Sequence, residues 1–377
     1  MISNSHRWDP YFFTMGEKFK EFWIEYLNSS EKNILIIISA GFDPRTALAC
    51  EAICRFGGSG RRDVFIVDID EGPESYSNKY INLKLDNLER IRTAVDSRGL
   101  IHEQKVRMWS DDERPHRVGS RRINQAFDNS EIDLSQYSDI ILDISAFPRS
   151  LFFPFGARFI TQADIAKENG EKFPNLHVIV ASDPALDECI EPEGIDDEAT
   201  PITGYTTGLD LQSNDKIPKV WFPLLEPGRE EHLKRIQVLV RPDEIVPVLP
   251  WPSKNPRRGD DILTEYQRYL YEILGVEPKN TLYIPEENPF SVFRQIYKSA
   301  LHYNDALKPV GGCTIVISAL SNKVSSMGAL LAAYELKRSG YAVAIVEVEA
   351  RGYSFKTDIK PSESNLVSLW ITGESYE

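Results

Sequence analysis

The chain has 377 residues, and its 43 Lys and Arg against 57 Asp and Glu give a net charge of −14. Hydrophobic residues at 42% and charged residues at 27% are ordinary globular proportions, which excludes a globally disordered chain. The acidic balance excludes a general nucleic-acid coat, because phosphate binding is mostly neutralisation by Lys and Arg. The length predicts two domains, or one large α/β domain with additions.

Four cysteines, Cys50, Cys54, Cys189 and Cys313, are too few for a disulfide scaffold in a chain this long. Cys50 and Cys54 lie one helical turn apart. No second ligand pair stands nearby, so they read as buried thiols and no metal ligands are assigned. The opening MISNSHRWDPYFFTM lacks the basic start and apolar run of a secretory signal. The apolar stretches 327–334 and 341–346 fall far short of the ~20 residues a membrane helix needs. A soluble, cytoplasmic protein without a membrane partner is expected.

In chain order, residues 34–38, 64–69, 140–144 and 177–181 read as buried strands, being β-branched and bounded by Gly, Pro, Asp or Ser. Strand character over 104–109 is weak. Residues 46–55, 77–95, 118–127 and 151–168 read as helices. Strand–helix alternation favours a parallel sheet covered on both faces. From Asp187 to Lys219 the chain turns acidic and rich in Gly, Pro and Thr, and reads as a linker or a lid. Alternation then resumes: helices over 230–240, 262–274, 291–307 and 327–339, strands over 245–249, 281–284, 314–318, 342–347 and 366–372. The expected fold is therefore α/β, a Rossmann-like doubly wound, mostly parallel sheet in two halves. The halves are residues 1–186 and 220–377, joined by 187–219; one sheet extended by the second half is the competing arrangement. The run VPVLPWPSKNPRRGDD holds Pro247, Pro250, Pro252 and Pro256 and reads as a stiff extended loop. It is either a connector or a support that holds Arg257 and Arg258 at a site.

One element recurs three times. ILIIISAGFDPRTALA, IILDISAFPRSLF and TIVISALSNKVSSMGALLAA each run from a buried strand into Ser-Ala, a short turn, a basic residue and a hydroxyl residue opening a helix. The strand-end hydroxyls are Ser39, Ser145 and Ser318. The basic residues are Arg45, Arg149 and Lys323, followed by Thr46, Ser150 and Ser325 or Ser326. A helix start presents unpaired N–H groups and partial positive charge, and a nearby cation adds to it, so such turns suit an anion. Helix capping alone accounts for any single copy; three copies in equivalent places favour a shared anion-binding face.

Ser39-Ala40-Gly41-Phe42-Asp43-Pro44, between a strand and a helix, resembles the SGGxDS signature of the PP-loop ATP pyrophosphatases. Ser39, Gly41 and Asp43 match; Ala40 stands for a glycine and Pro44 for the final hydroxyl residue, with Thr46 as its substitute. The resemblance implies a HUP-type nucleotide-binding fold whose loop holds the pyrophosphate of ATP, usually with Mg²⁺, for adenylylation of a substrate. Asp68 or Asp70, ending the second buried strand, is the ribose or metal candidate. No G-x-G-x-x-G follows a strand, and no P-loop, GxSxG or metal-spaced His occurs.

Arg114, Arg117, Arg121 and Arg122 form a local basic cluster that reads as a solvated helix face. Tyr266, Tyr269, Tyr271, Phe290, Phe293 and Tyr297 fall at helical spacing and read as core. Two functions are expected: a nucleotide- or phospholigand-binding protein, ATP-dependent in the PP-loop manner, or a non-catalytic nucleotide-sensing or scaffold subunit of a prokaryotic regulatory or defence complex. A small anionic ligand is the expected partner, with a protein partner or a second copy of the chain as the further expectation.

Overall fold

The computed structural model describes residues 7–113, 115–187, 189–209, 217–355, 361–362 and 365–376. The chain forms two compact units, one of residues 1–194 with 350–377 and the other of residues 195–349. Each is an α/β assembly around its own sheet.

The first unit begins with β1 (Phe12–Met15), α1 (Glu17–Ser29), β2 (Ile34–Ala40), α2 (Leu48–Arg55) and β3 (Arg62–Asp70). It continues through α3 (Ile81–Val95), β4 (Ile101–Arg107), α4 (Gly119–Asp128), β5 (Asp139–Asp143) and α5 (Arg149–Asn169). β6 (Asn175–Ala181), the short α6 (Pro184–Asp187) and β7 (Ile190–Pro192) follow. The second unit contributes β8 (Thr200–Thr206), β9 (Lys219–Leu224), α7 (Glu230–Val240), β10 (Glu244–Ile245) and β11 (Val248–Pro250). After these come α8 (Arg258–Gln267), β12 (Leu282–Ile284), α9 (Pro289–Ala306), β13 (Thr314–Ala319), α10 (Lys323–Arg338) and β14 (Val343–Glu347). The chain then re-enters the first unit with β15 (Tyr353–Phe355) and β16 (Leu366–Thr372).

The first sheet runs β1-β16-β6-β5-β2-β3-β4. Its centre is parallel: Ile34–Ile37 lie beside Asp139–Leu142 on one side, and Ile34–Ala40 beside Arg62–Asp68 on the other. β2 is buried along its whole length, as a strand covered on both faces must be. The second sheet runs β12-β11-β9-β13-β14-β8, with β10 also on β9 and only β8 antiparallel. The doubly wound α/β expectation holds for each unit, with a separate sheet in each.

Three sequence expectations are corrected. The 187–219 stretch is not structureless: β7 pairs with β15, and β8 adds an antiparallel edge to the second sheet; residues 188 and 210–216 lie outside the described residues. Residues 366–372 do not belong with the second half, because β16 pairs antiparallel with β6 and carries β1 on its other side. The central strand of the second sheet, β9, escaped the sequence reading. It contains Pro223, which ordinarily argues against a central strand, yet it pairs with β13 over six residues, Pro223 opposite Ser318.

Tyr266, Tyr269, Phe290 and Phe293 are buried core, as their spacing predicts. Cys50, Cys54 and Cys313 are buried free thiols, and Cys189 is half-buried. In the basic cluster Arg117 stacks over Trp109 and Arg122 donates to the Trp109 carbonyl, while Arg114 lies outside the described residues. No helix among the described residues is long and apolar enough to cross a membrane.

Candidate ligand sites at the two strand-order reversals

In each sheet the strand order reverses at one place, between β2 and β5 in the first unit and between β9 and β13 in the second. The carboxyl ends of strands flanking such a reversal diverge into helices on opposite faces, leaving the crevice where open α/β sheets bind ligands. Ser39 and Ser145 follow this geometry in the first unit and Ser318 in the second, so the three turns divide between two crevices. Two of the three turns thus belong to the first unit and one to the second.

The first crevice is filled by its own side chains. Arg45 is 5% exposed. Its Nε and Nη2 grip Asp43 at 3.0 and 2.7 Å, and Nη1 donates to Asp187 at 2.7 Å. Burial alone would lower the Arg45 pKa; the carboxylates of Asp43 and Asp187 more than reverse this and hold it above its ordinary value. Asp43 also accepts the Arg45 backbone N–H at 2.9 Å, closing the turn on itself. Gly41 has room for a methyl group, whose nearest neighbour would be Thr46 Oγ1 at 3.7 Å. Its carbonyl accepts from Asn87 at 2.9 Å and from Thr46 Oγ1 at 3.5 Å. Thr46 therefore points inward and caps nothing; α2 starts two residues later at Leu48, with no side-chain cap.

Ser145 is structural. Its hydroxyl donates to Asp143 and accepts the Ala181 N–H at 2.8 Å, joining β5 to β6. Arg149 is the first residue of α5. Asp68 is paired with Lys84, and Asp70 with Lys105 at 3.0 Å. Burial would raise the Asp70 pKa, but the Lys105 hydrogen bond and the Gly72 N–H lower it below the usual carboxylate value. Ser39 is different: its hydroxyl is buried and has no hydrogen-bond partner among the described residues.

The second crevice is open. A small cleft of about 20 Å³ is lined by the carboxyl ends of β9, β11 and β12 and the start of α10. Its apolar wall includes Leu224, Leu249, Ile284 and Val292; its polar wall includes Glu226, Glu286, Asn322 and Ser325. Arg258, opening α8 behind the proline-rich run, pairs with Glu226 through Nη2 and faces Glu286 Oε1 from Nε at 3.0 Å. Asn322 donates to the same Glu286 oxygen at 3.3 Å and, through Oδ1, caps α10 by accepting the Ser325 N–H at 2.8 Å. Ser325 Oγ donates to the Glu286 carbonyl at 3.1 Å. Lys323 is the first residue of α10, and Ser318 spends its hydroxyl on Trp221 Nε1 at 3.0 Å inside the core.

No protein-family model matches this chain, and no curated protein does. Among solved structures it is similar to an NMN synthetase from Francisella tularensis, at 14% identity and a TM-score of 0.20. That match covers 46% of this chain and 56% of the other, about half of each.

Sequence reasoning missed Glu226 and Glu286. Each stands just past a strand end and next to a proline, in LLEPG and IPEENP, which was the available signal. Arg258 was noticed; it stands just after the proline-rich run, against Glu226 and Glu286. Among the described residues no cluster of three His, Cys, Asp or Glu is arranged to hold a metal ion.

Proposed function

We propose that this chain binds a small phosphorylated ligand of the nucleotide class in the cleft of the second unit. The observation that carries this reading is the placement of an open cleft at the reversal between β9 and β13, in front of the third Ser-Ala turn. The cleft's chemistry has a direction. The two carboxylates at its wall, Glu226 and Glu286, are neutralised in part by Arg258, so that end offers acceptors and suits ligand hydroxyls or amino groups. The start of the 16-residue α10, with Lys323 as its first residue, offers N–H groups and positive potential for a phosphate. The apolar wall matches a base. Mg²⁺ enters this reading only as the counter-ion of the phosphates, since Glu226 and Glu286 are committed to Arg258.

Thermal-shift and calorimetric titration with AMP, ADP, ATP and cyclic nucleotides tests the proposal. A ligand at ~100 times its Kd stabilises by about 2.7 kcal/mol. Glu286→Gln should weaken it. Absence of any shift across the series would overturn the reading.

PP-loop adenylylation at the first turn is the second reading, favoured by the match of Ser39, Gly41 and Asp43 to that signature. Against it stands the double commitment of Asp43 to Arg45. Pyrophosphate release from ATP and Mg²⁺ that survives Glu286→Gln and is lost in Asp43→Asn would establish it.

A further inference from the structure

The closed crevice of the first unit carries a second inference, independent of the cleft. We propose that Arg45 Nη1 is an oxyanion position that the protein's own Asp187 occupies, and that a phosphate group binds there by displacing Asp187.

The guanidinium has two edges in use. One edge, Nε and Nη2, is spent on Asp43, two residues away in the same turn. That pair is buried and neutral by itself, with side-chain exposures of 6% and 13%. The other edge, Nη1, meets Asp187 Oδ1 at 2.7 Å, and the Asp187 side chain is 50% exposed. One cation thus faces two carboxylates, and the exposed one is in excess. Exchanging it for a singly charged phosphate group leaves the local charge unchanged and replaces one charge-assisted hydrogen bond with another.

Of the two carboxylates on Arg45, Asp187 is the more exposed. It ends α6, a helix of four residues, while Arg45 and Asp43 are anchored in the turn between β2 and α2. Two hydroxyls on the elements that flank the reversal lack a partner among the described residues. Ser39 Oγ at the end of β2 and Ser150 Oγ in the first turn of α5 are both buried and without hydrogen-bond partners among the described residues. They belong to the two turns that flank the reversal, which adjoin closely: a methyl on Gly41 would lie 3.9 Å from the Ala146 methyl. Buried orphan hydroxyls are uncommon, and an entering oxyanion supplies the acceptors these lack. The chain that follows Asp187 runs on into β7, which pairs with β15, so on this proposal release of Asp187 is expected to register in that stretch.

The test titrates the full chain with inorganic phosphate, and in a parallel arm with methyl phosphate, against KCl at matched ionic strength. Thermal shift gives affinity, and hydrogen exchange follows residues 184–192. Asp187→Asn should bind phosphate about 5-fold more tightly than wild type, the equivalent of losing one half-exposed ion pair. Asp187→Glu should restore the wild-type affinity. In the wild type, phosphate should raise exchange over 184–192. Glu193→Gln, which removes a carboxylate from the same stretch without touching Arg45, should change nothing. Tighter binding of inorganic phosphate alone identifies a free-phosphate site; equal gain for methyl phosphate identifies a phosphate-ester site. Equal phosphate affinity in wild type and Asp187→Asn, or an equal gain in Glu193→Gln, overturns the proposal. Arg45→Lys, which keeps the charge and loses the second edge, should abolish the gain; if that chain fails to fold, the asparagine and glutamate variants at 187 still decide.

Discussion

The two units solve the same topological problem in opposite ways. Both reverse strand order between two central parallel strands, and both carry a Ser-Ala turn and a basic residue there. In the first unit the arginine lies inside the turn and turns back on Asp43 two residues before it, with Asp187 completing the plug. In the second the arginine arrives from elsewhere, at the start of α8, and spans Glu226 and Glu286 across the crevice wall, leaving space before α10. A shared motif thus fixes where a crevice forms, while the origin of its cation decides whether the crevice stays open.

The largest expected effect sharpens this contrast. Arg45→Ala leaves the largely buried Asp43 carboxylate without its partner and should cost about 3 kcal/mol in urea unfolding. Arg258→Ala, whose ion pairs are partly solvated at 14–25% exposure, should cost about 1 kcal/mol or less. Equal losses would break the distinction between plug and wall. Next comes Glu286→Gln, expected to weaken nucleotide binding about tenfold in calorimetry while leaving the fold intact, the scale of one charge-assisted hydrogen bond. Asn322→Ala should lower stability by about 1 kcal/mol through loss of the α10 cap, read as a fall in Tm.

The smallest effect is a pH dependence. Asp70 has a folded pKa below its ordinary 3.8, so its contribution is present above that value and fades as pH falls through the folded one. Asp70→Asn should therefore remove a small increment of stability at neutral pH, and the difference from wild type should vanish under acid. An increment that persists at low pH would contradict the Lys105 and Gly72 contacts as its source.

The legible parts of the sequence were those governed by burial alone. β2, β3, β5 and β6 announced themselves because strands covered on both faces are continuous runs of Ile, Leu and Val. β9 did not, because Pro223 breaks the rule for a central strand and the preceding stretch is acidic and polar. The proline run after residue 245 divided one expected strand into β10 and β11. At the sites, sequence identified the turns but not the orientation of their side chains. Whether Thr46 points into a crevice or at the Gly41 carbonyl is decided by how the turn closes, and whether Ser318 meets a ligand or Trp221 depends on a packing partner far along the chain. Glu226 and Glu286, 60 positions apart in the numbering, gain meaning only when Arg258 joins them.

The return of β16 to the first sheet has a consequence for how this protein is made. The strand that sits between β1 and β6 leaves the ribosome only after the whole of the second unit. The second unit is one continuous stretch of chain and can complete its sheet during synthesis, as domains generally do. The first unit emerges earlier and finishes later, with the edge of β6 waiting for its neighbour until the second unit has been made.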